Sequence, residues 1–323
     1  FTLPPTWQHL EPADVVTLSL PSATYELRLT ATEHLPDGRV ECTARPNNPA
    51  IYAPVSYGQE GQAPGQVLTY PGAALLQLLD IPCVDSTVMN QPGVLAAVSG
   101  YPASWPGGHL FRSDDSGQTW KDVQNFLPGV VMGYATNALG SGITHIIDAA
   151  NVLNVRLFSG ALASVTQAAM FNGANHFAVG AQGRWEIIAA ENCVQLSDGT
   201  WNLSNLMRGR FGSEHALASH AIGDGVVLLD RSAVRFVGLD VASLNLSRLW
   251  RAATNGQTID SAAEVALAYS GENLECLAPI QIKGAKNASG DWSIGWQRRT
   301  RLPVEPFSGM PAPLGESGES YEV

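Results

Sequence analysis

The charged residues best suited to binding a ligand lie in one glycine-rich stretch of this 323-residue chain. Arg208 and Arg210 are close in sequence to Glu214 and Asp224. A guanidinium group presents a fork of donors that fits a carboxylate or a phosphate, so these arginines could hold an anion. The interpretation that we favour is that they form ion pairs with Glu214 and Asp224, or with a neighbouring subunit.

The chain contains none of the short motifs that mark the common catalytic sites. It has no Gly-x-Ser-x-Gly, no His-Glu-x-x-His, no Gly-Lys-Ser/Thr phosphate loop and no complete Gly-x-Gly-x-x-Gly. His215 and His220 are five positions apart, which does not place them on one helical face as zinc ligands. Ser213, His215 and Asp224 do not indicate a triad, because no spacing rule links them. We therefore predict no enzyme activity, no cofactor and no metal site.

The sharpest local motif spans residues 113–120 and reads Ser-Asp-Asp-Ser-Gly-Gln-Thr-Trp. Asp115 can accept hydrogen bonds from turn amides, and Gly117 allows a positive φ. The pattern resembles the Asp-box of sialidases and other propellers, but a propeller repeats the box at a blade-length period and this chain has one copy. The motif predicts a structural hairpin; a carbohydrate-binding or sialidase-like module built around it is the alternative. The hairpin residues are Ser113, Asp115, Gly117, Thr119 and Trp120.

The composition excludes several classes of protein. The formal net charge is −11, and the densest basic cluster is only Arg298, Arg299 and Arg301, so the chain has no nucleic-acid-binding signature. Charged residues make up 15% of the chain, against about 25% in an ordinary soluble domain, which suggests that neighbouring subunits cover part of the surface. The long uncharged stretches are interrupted by Pro, Gly, Asn and Ser, so we predict no membrane span. The four cysteines lack a Cys-x-x-Cys spacing and are predicted to be free, mostly buried thiols.

The 32 glycines and 20 prolines favour many short elements joined by turns. Alternating runs predict strands at 14–20, 25–32 and 40–44, and the Asp198-Gly199 pair predicts a hairpin between strands at 193–196 and 201–206. One or two helical turns are predicted at 164–171, while 261–269 fits either a strand or a helix. The proline-rich stretch 46–71 is predicted to be a linker or a long surface loop.

The stretch from Leu203 to Asp230 is similar to a segment typical of tail-tip hub proteins of long-tailed phages and gene transfer agents. Met207, Phe211 and Ser213 depart from the family pattern conservatively. The stretches WQHLEPADVVTL, PDGRVECTAR and MFNGANHFAVG also resemble this family, and GDWSIGWQRRTR resembles the opening strands of a fibronectin type III domain. The residues that match the family motif are Arg208, Gly209, Arg210, Gly212, Glu214, Ala216, His220, Gly223 and Asp224.

This resemblance implies a structural component of a phage tail tip or baseplate hub, which closes the tail tube and carries host-attachment domains. It implies a homotrimer located in the virion and assembled in the cytoplasm of the bacterial host. The implied partners are copies of itself, the distal tail and other tail-tip proteins, and a host cell-surface receptor.

The fold class expected from these observations is mainly β with some α, that is, α+β. We expect part of a hub β-barrel at 1–60, a mixed β-rich tail-hub region at 61–276, and the truncated start of a fibronectin type III-like sandwich at 277–323. Because the chain starts at Phe1 and ends as a strand begins, we expect it to be a piece of a longer protein.

Overall fold

The computed structural model describes residues 1–49, 72–101, 104–127, 129–302 and 311–322. The chain divides into two compact units, residues Phe1–Leu68 and Thr69–Val323. Most of the predicted linker, residues 50–71, lies outside the described residues.

The described strands of the first unit form one antiparallel sheet in the order β1-β4-β3-β2. The alternating runs predicted there are strands, and Asp37 with Gly38 forms the turn between β3 and β4. One face carries a small core of Leu10, Leu29, Val40 and Cys42. The strands are β1 (Thr2–Leu3), β2 (Val15–Leu20), β3 (Ala23–His34) and β4 (Val40–Pro46).

The second unit contains fifteen strands and one α-helix among its described residues. The strands are β5 (Ala74–Leu79), β6 (Gly93–Gly100), β7 (Gly108–Ser113), β8 (Lys121–Phe126), β9 (Met132–Ala135), β10 (Leu153–Leu157), β11 (His176–Gly180), β12 (Glu186–Gln195), β13 (Trp201–Met207), β14 (Gly225–Leu228), β15 (Arg235–Gly238), β16 (Ser247–Thr254), β17 (Glu264–Ala268), β18 (Ile280–Lys286) and β19 (Trp292–Gln297); the helix is α1 (Gln167–Phe171).

Six of these strands close into a barrel in the order β10-β13-β12-β11-β14-β9. Alternate side chains point inward, so Phe177 and Val179 lie in the barrel core while Ala178 between them faces outward. The interior is filled by fourteen buried side chains, including Trp201 and Leu203, and is therefore a packed core.

A three-stranded sheet, β15-β6-β5, packs between the barrel and a second sheet, β17-β16-β7-β8. Along β6, Ala97 packs with the outer face of the barrel, and Ala96 and Val98 pack with Trp250 and Leu110 of the second sheet. The central strand β6 is therefore buried on both faces, which explains its nearly continuous apolar sequence.

The expected α+β class is wrong, because the described chain is nearly all β. Its single α-helix has five residues, and the other helical segments are 3₁₀ turns of three to seven residues. The helical turn predicted at 164–171 is α1, and the ambiguous run at 261–269 contains strand β17. The run at 261–269 is short and rich in small apolar residues, so its sequence fits the period of a strand as well as that of a helix. Where a sandwich was expected to begin, β18 and β19 form a two-stranded sheet.

Candidate functional site

Charged side chains collect at one end of the barrel because antiparallel neighbours bring their chain positions together. Glu186 begins β12 and Arg208 directly follows β13, and these two strands pair antiparallel. Arg184 precedes β12 and Asp224 precedes β14, and both strands pair with β11. Asp148 joins the group through a β-bridge between its backbone and β13.

Arg208 lies at the centre of this barrel-end network, and its side chain is fully buried. Its Nε and Nη2 donate to the two carboxylate oxygens of Glu186, each over 2.8 Å. Its Nη1 donates to Asp148 Oδ2 at 3.1 Å and to the carbonyl oxygen of Gly140 at 3.0 Å. The bidentate ion pair between Arg208 and Glu186 fixes the position of both side chains.

The second half of the network is built around Asp224. Nε2 of His220 lies 2.6 Å from Glu186 Oε2, and Nδ1 of the same ring lies 3.4 Å from Asp224 Oδ2. Arg184 donates to both oxygens of Asp224, with Nη1 at 2.8 Å from Oδ2. The backbone amide of Ala221 also donates to this carboxylate, at 2.9 Å. The buried His220 ring thus lies between Glu186, with which it shares a hydrogen bond, and Asp224, which is held by Arg184.

The network lowers the pKa of all three of its carboxylates. Burial alone raises the pKa of Glu186, but the hydrogen bonds from His220 and Arg208 outweigh it, so the pKa falls below its usual value. Burial also raises the pKa of Asp148 and Asp224, and it is outweighed by hydrogen bonds, chiefly from Asn151 to the first and from Arg184 to the second. The carboxylates therefore remain charged although the side chains of all three are at most 3% exposed.

A tight turn after Arg208 closes the network. Gly209 has φ +56° and donates its amide hydrogen to Glu186 Oε1 over 2.8 Å. A Cβ atom at Gly209 would lie 2.9 Å from Glu214 Cγ, so both the conformation and the space favour glycine. The buried Ser213 accepts a hydrogen bond from the amide of Ile187 in β12. The turn is thereby held against the strand that carries Glu186.

The structure distributes the motif residues between two places. It brings Arg208 and His220 together on Glu186, with Asp224 on the other side of the His220 ring, whereas Glu214 pairs with Arg299 at 2.8 Å. The partners of Arg208 are thus Glu186 and Asp148, rather than the Glu214 or Asp224 expected from sequence. The two other glycines of the motif, Gly212 and Gly223, adopt positive φ in the flanking turns, and Arg210 lies outside the network.

Sequence reasoning missed three members of this network: Asp148, Glu186 and Arg184. One signal could have found Glu186, because it stands inside the apolar run Trp185–Ala190 of a chain with few charges. A carboxylate at a buried strand position requires a cationic partner.

The hairpin at 113–120 uses its own polar groups to hold its turn. Ser113 Oγ accepts from the amide of Gly117 at 2.8 Å and donates to Asp115 Oδ1 at 2.7 Å. Asp115 also accepts from the amide and the hydroxyl of Thr119, at 2.9 and 2.5 Å. These hydrogen bonds lower the pKa of Asp115 to about 2. Gly117 has φ +89°, the positive value that the motif predicts.

Trp120 of the hairpin contacts a neighbouring strand of the same sheet. The guanidinium of Arg251 in β16 lies 4.6 Å from the centre of its ring, a cation–π contact. Arg251 also pairs with Glu264 at 3.2 Å. Trp120 and Arg251 are thus tied to strands of the same sheet.

Within the described ranges, no group of three or more His, Cys, Asp or Glu side chains is arranged to hold a metal ion. The part of the chain that the structure describes has no helix both long and apolar enough to cross a membrane.

Residues 130–227 match the model of a protein family described as Rcc01698-like, C-terminal. The match covers barrel strands β9 to β14 except for the last residue of β14, and it includes the whole barrel-end network. No curated protein matches the chain at a significant level.

Proposed function

We propose that this chain is a structural component of a phage or gene-transfer-agent tail tip, a hub protein that closes the tail tube and carries host-attachment domains. The observation that carries the proposal is the use of the motif residues. Arg208, His220 and Asp224 carry the family resemblance, and all three are buried in a network that joins the strand ends of one barrel. A motif whose residues build a buried framework in this way suits a protein whose task is to hold a shape.

The outer surface of the barrel region supports an assembled role. Large apolar side chains there are well exposed, among them Ile146 at 60%, Phe171 at 57% and Ile222 at 73%. Exposed apolar side chains together with a low charge content are typical of surfaces that neighbouring subunits cover. We propose a homotrimer, with further contacts to the distal tail, other tail-tip proteins and a host receptor.

Immunogold labelling of particles purified from the bacterium that encodes this chain tests the proposed location. The expected result is label at the tail end distal to the head. A matched antibody against the major tail-tube protein should label the tube along its length. Chain that is abundant in the lysate but missing from purified particles would refute the virion assignment.

Light scattering at several concentrations tests the proposed trimer on the purified chain. A mass of three chains that does not change with concentration supports it. A glycan-binding screen run in parallel tests the carbohydrate alternative. Specific sugar binding that is lost in Asp115→Asn, with the fold intact, would favour that alternative instead.

A further inference from the structure

A cleft of about 1130 Å³ opens beside the barrel-end network. It is lined by the turn from Arg208 to Phe211, by residues 298–300 after β19 and by residues 311–313. Apolar side chains of Leu277 and Leu302 line it together with Pro311 and Pro313. The cleft is slightly larger than the usual range of small-molecule sites, which ends at about 1000 Å³, and it is lined mostly by apolar and cationic groups.

The cations that line this cleft are not all neutralised. Arg298 pairs with Glu319, and Arg299 donates to Glu214 at 2.8 Å. Arg210 has no carboxylate partner among the described residues, and its Nε is buried without a hydrogen-bond acceptor. The guanidinium of Arg210 therefore lines the cleft without an ion-pair partner among these residues.

Keeping this charge unpaired is unfavourable for the folded chain. Burial lowers the pKa of Arg210, and the nearby charge of Arg299 lowers it further, against a smaller opposing effect of Glu214. A partly desolvated cation beside a second cation gains strongly from an anion placed between them. The arrangement fits a site whose counter-charge arrives with a ligand.

We propose that this cleft binds an acidic peptide segment, with Arg210 and Arg299 holding one of its carboxylates. The same stretch of chain already shows this chemistry. Arg301 holds Glu316 with two hydrogen bonds of 2.7 and 2.8 Å, and Arg298 binds both the carbonyl of Ala312 and the carboxylate of Glu319. These partners belong to an extended segment without regular secondary structure, so arginines here recognise carboxylates and carbonyls of extended chain. The apolar and proline-rich walls suit the non-polar side chains of such a segment.

A pair of model peptides tests the proposal on the purified full chain. The probes are acetyl-Ala-Leu-Glu-Leu-Ala-amide and the same peptide with Gln in place of Glu, titrated by NMR or calorimetry. The Glu peptide should bind about tenfold more tightly than the Gln peptide, as a charge-assisted pair implies. Arg210→Gln should remove this difference, and Arg156→Gln, which alters an exposed arginine of β10, should keep it.

Three outcomes would overturn the proposal. The first is equal binding of the Glu and Gln peptides to the unmodified chain. The second is inorganic phosphate binding more tightly than the Glu peptide and competing with it, which would make the cleft a site for small oxyanions.

The third concerns stability: Arg210→Gln should unfold at the same urea concentration as the unmodified chain or a higher one, because it removes an unpaired charge. A clear decrease relative to Arg156→Gln would show that Arg210 supports the fold instead. None of these outcomes depends on the proposed location in the virion.

Discussion

Replacing Arg208 by Met removes the central cation of the barrel-end network while keeping most of its volume. Arg208 donates four hydrogen bonds of 2.8 to 3.1 Å, and its loss leaves Glu186 and Asp148 buried without that cation. Removing one partner of a buried ion pair costs about 3–5 kcal/mol, because the remaining charge keeps its desolvation penalty. We expect Arg208→Met to lower the free energy of unfolding by that amount.

Urea unfolding followed by tryptophan fluorescence measures this change, since Trp185 and Trp201 are buried in the same barrel region. The matched control is Lys121→Met, whose ion pair with Asp114 is 66% exposed on the lysine side and should cost under about 1 kcal/mol. The double variant Arg208→Met/Glu186→Gln should lower the free energy of unfolding by less than the sum of the two single variants. The reason is that the double variant contains no charged Glu186 without its arginine partner. Two results together would refute the view that this network stabilises the barrel end. They are a decrease in the free energy of unfolding for Arg208→Met no larger than that of the control, and additive energies in the double variant.

Four further predictions follow from the local geometry. The three network carboxylates have pKa values below those of the unfolded chain, so their stabilisation is complete only above about pH 5 and is lost as the pH falls through the unfolded and then the lowered values; urea midpoints between pH 7 and pH 3 should show a decrease confined to the range below about pH 5. Gly209→Ala adds a Cβ atom that contacts the Glu214 side chain, at a residue whose φ of +56° is unfavourable for alanine. It should lower the free energy of unfolding by about 1–3 kcal/mol in the same assay. Asp115→Asn weakens the acceptor for Thr119, so hydrogen exchange should accelerate at the Thr119 amide and remain unchanged in the barrel strands. Cys276 is exposed, whereas burial raises the pKa of Cys193 to about 11, so iodoacetamide at pH 8 should label the first rapidly and the second only after unfolding.

The cysteine prediction from sequence is confirmed in part. All four thiols are free, but only Cys42 and Cys193 are buried, while Cys83 is half-buried and Cys276 is exposed. Spacing in the sequence favoured free thiols over a zinc or disulfide framework, but it carried no information on which side of a strand or loop each thiol would face.

Features that depend on neighbours in sequence were readable from the sequence alone. The hairpin at 113–120 is closed by hydrogen bonds between residues two to four positions apart, so its residue types suffice to predict it. The strands of the first unit alternate because one face of their sheet packs against a small core, and the period of two is therefore visible.

Features that depend on strand pairing were decided only by the tertiary structure. The carboxylates that meet Arg208 lie 22 and 60 positions away, and the antiparallel register of β12 and β13, with the bridge at Asp148, brings them to it. Strand β6 of the middle sheet is buried on both faces because the barrel and the second sheet cover it. The α+β expectation failed where the short run at 261–269, which fits the period of either element, is strand β17 paired with β16. Local sequence specifies turns and half-buried strands because their interactions span a few residues. The choice of charge partners and the burial of a strand on both faces arise from contacts between distant segments, which exist only once the barrel and its covering sheets have packed.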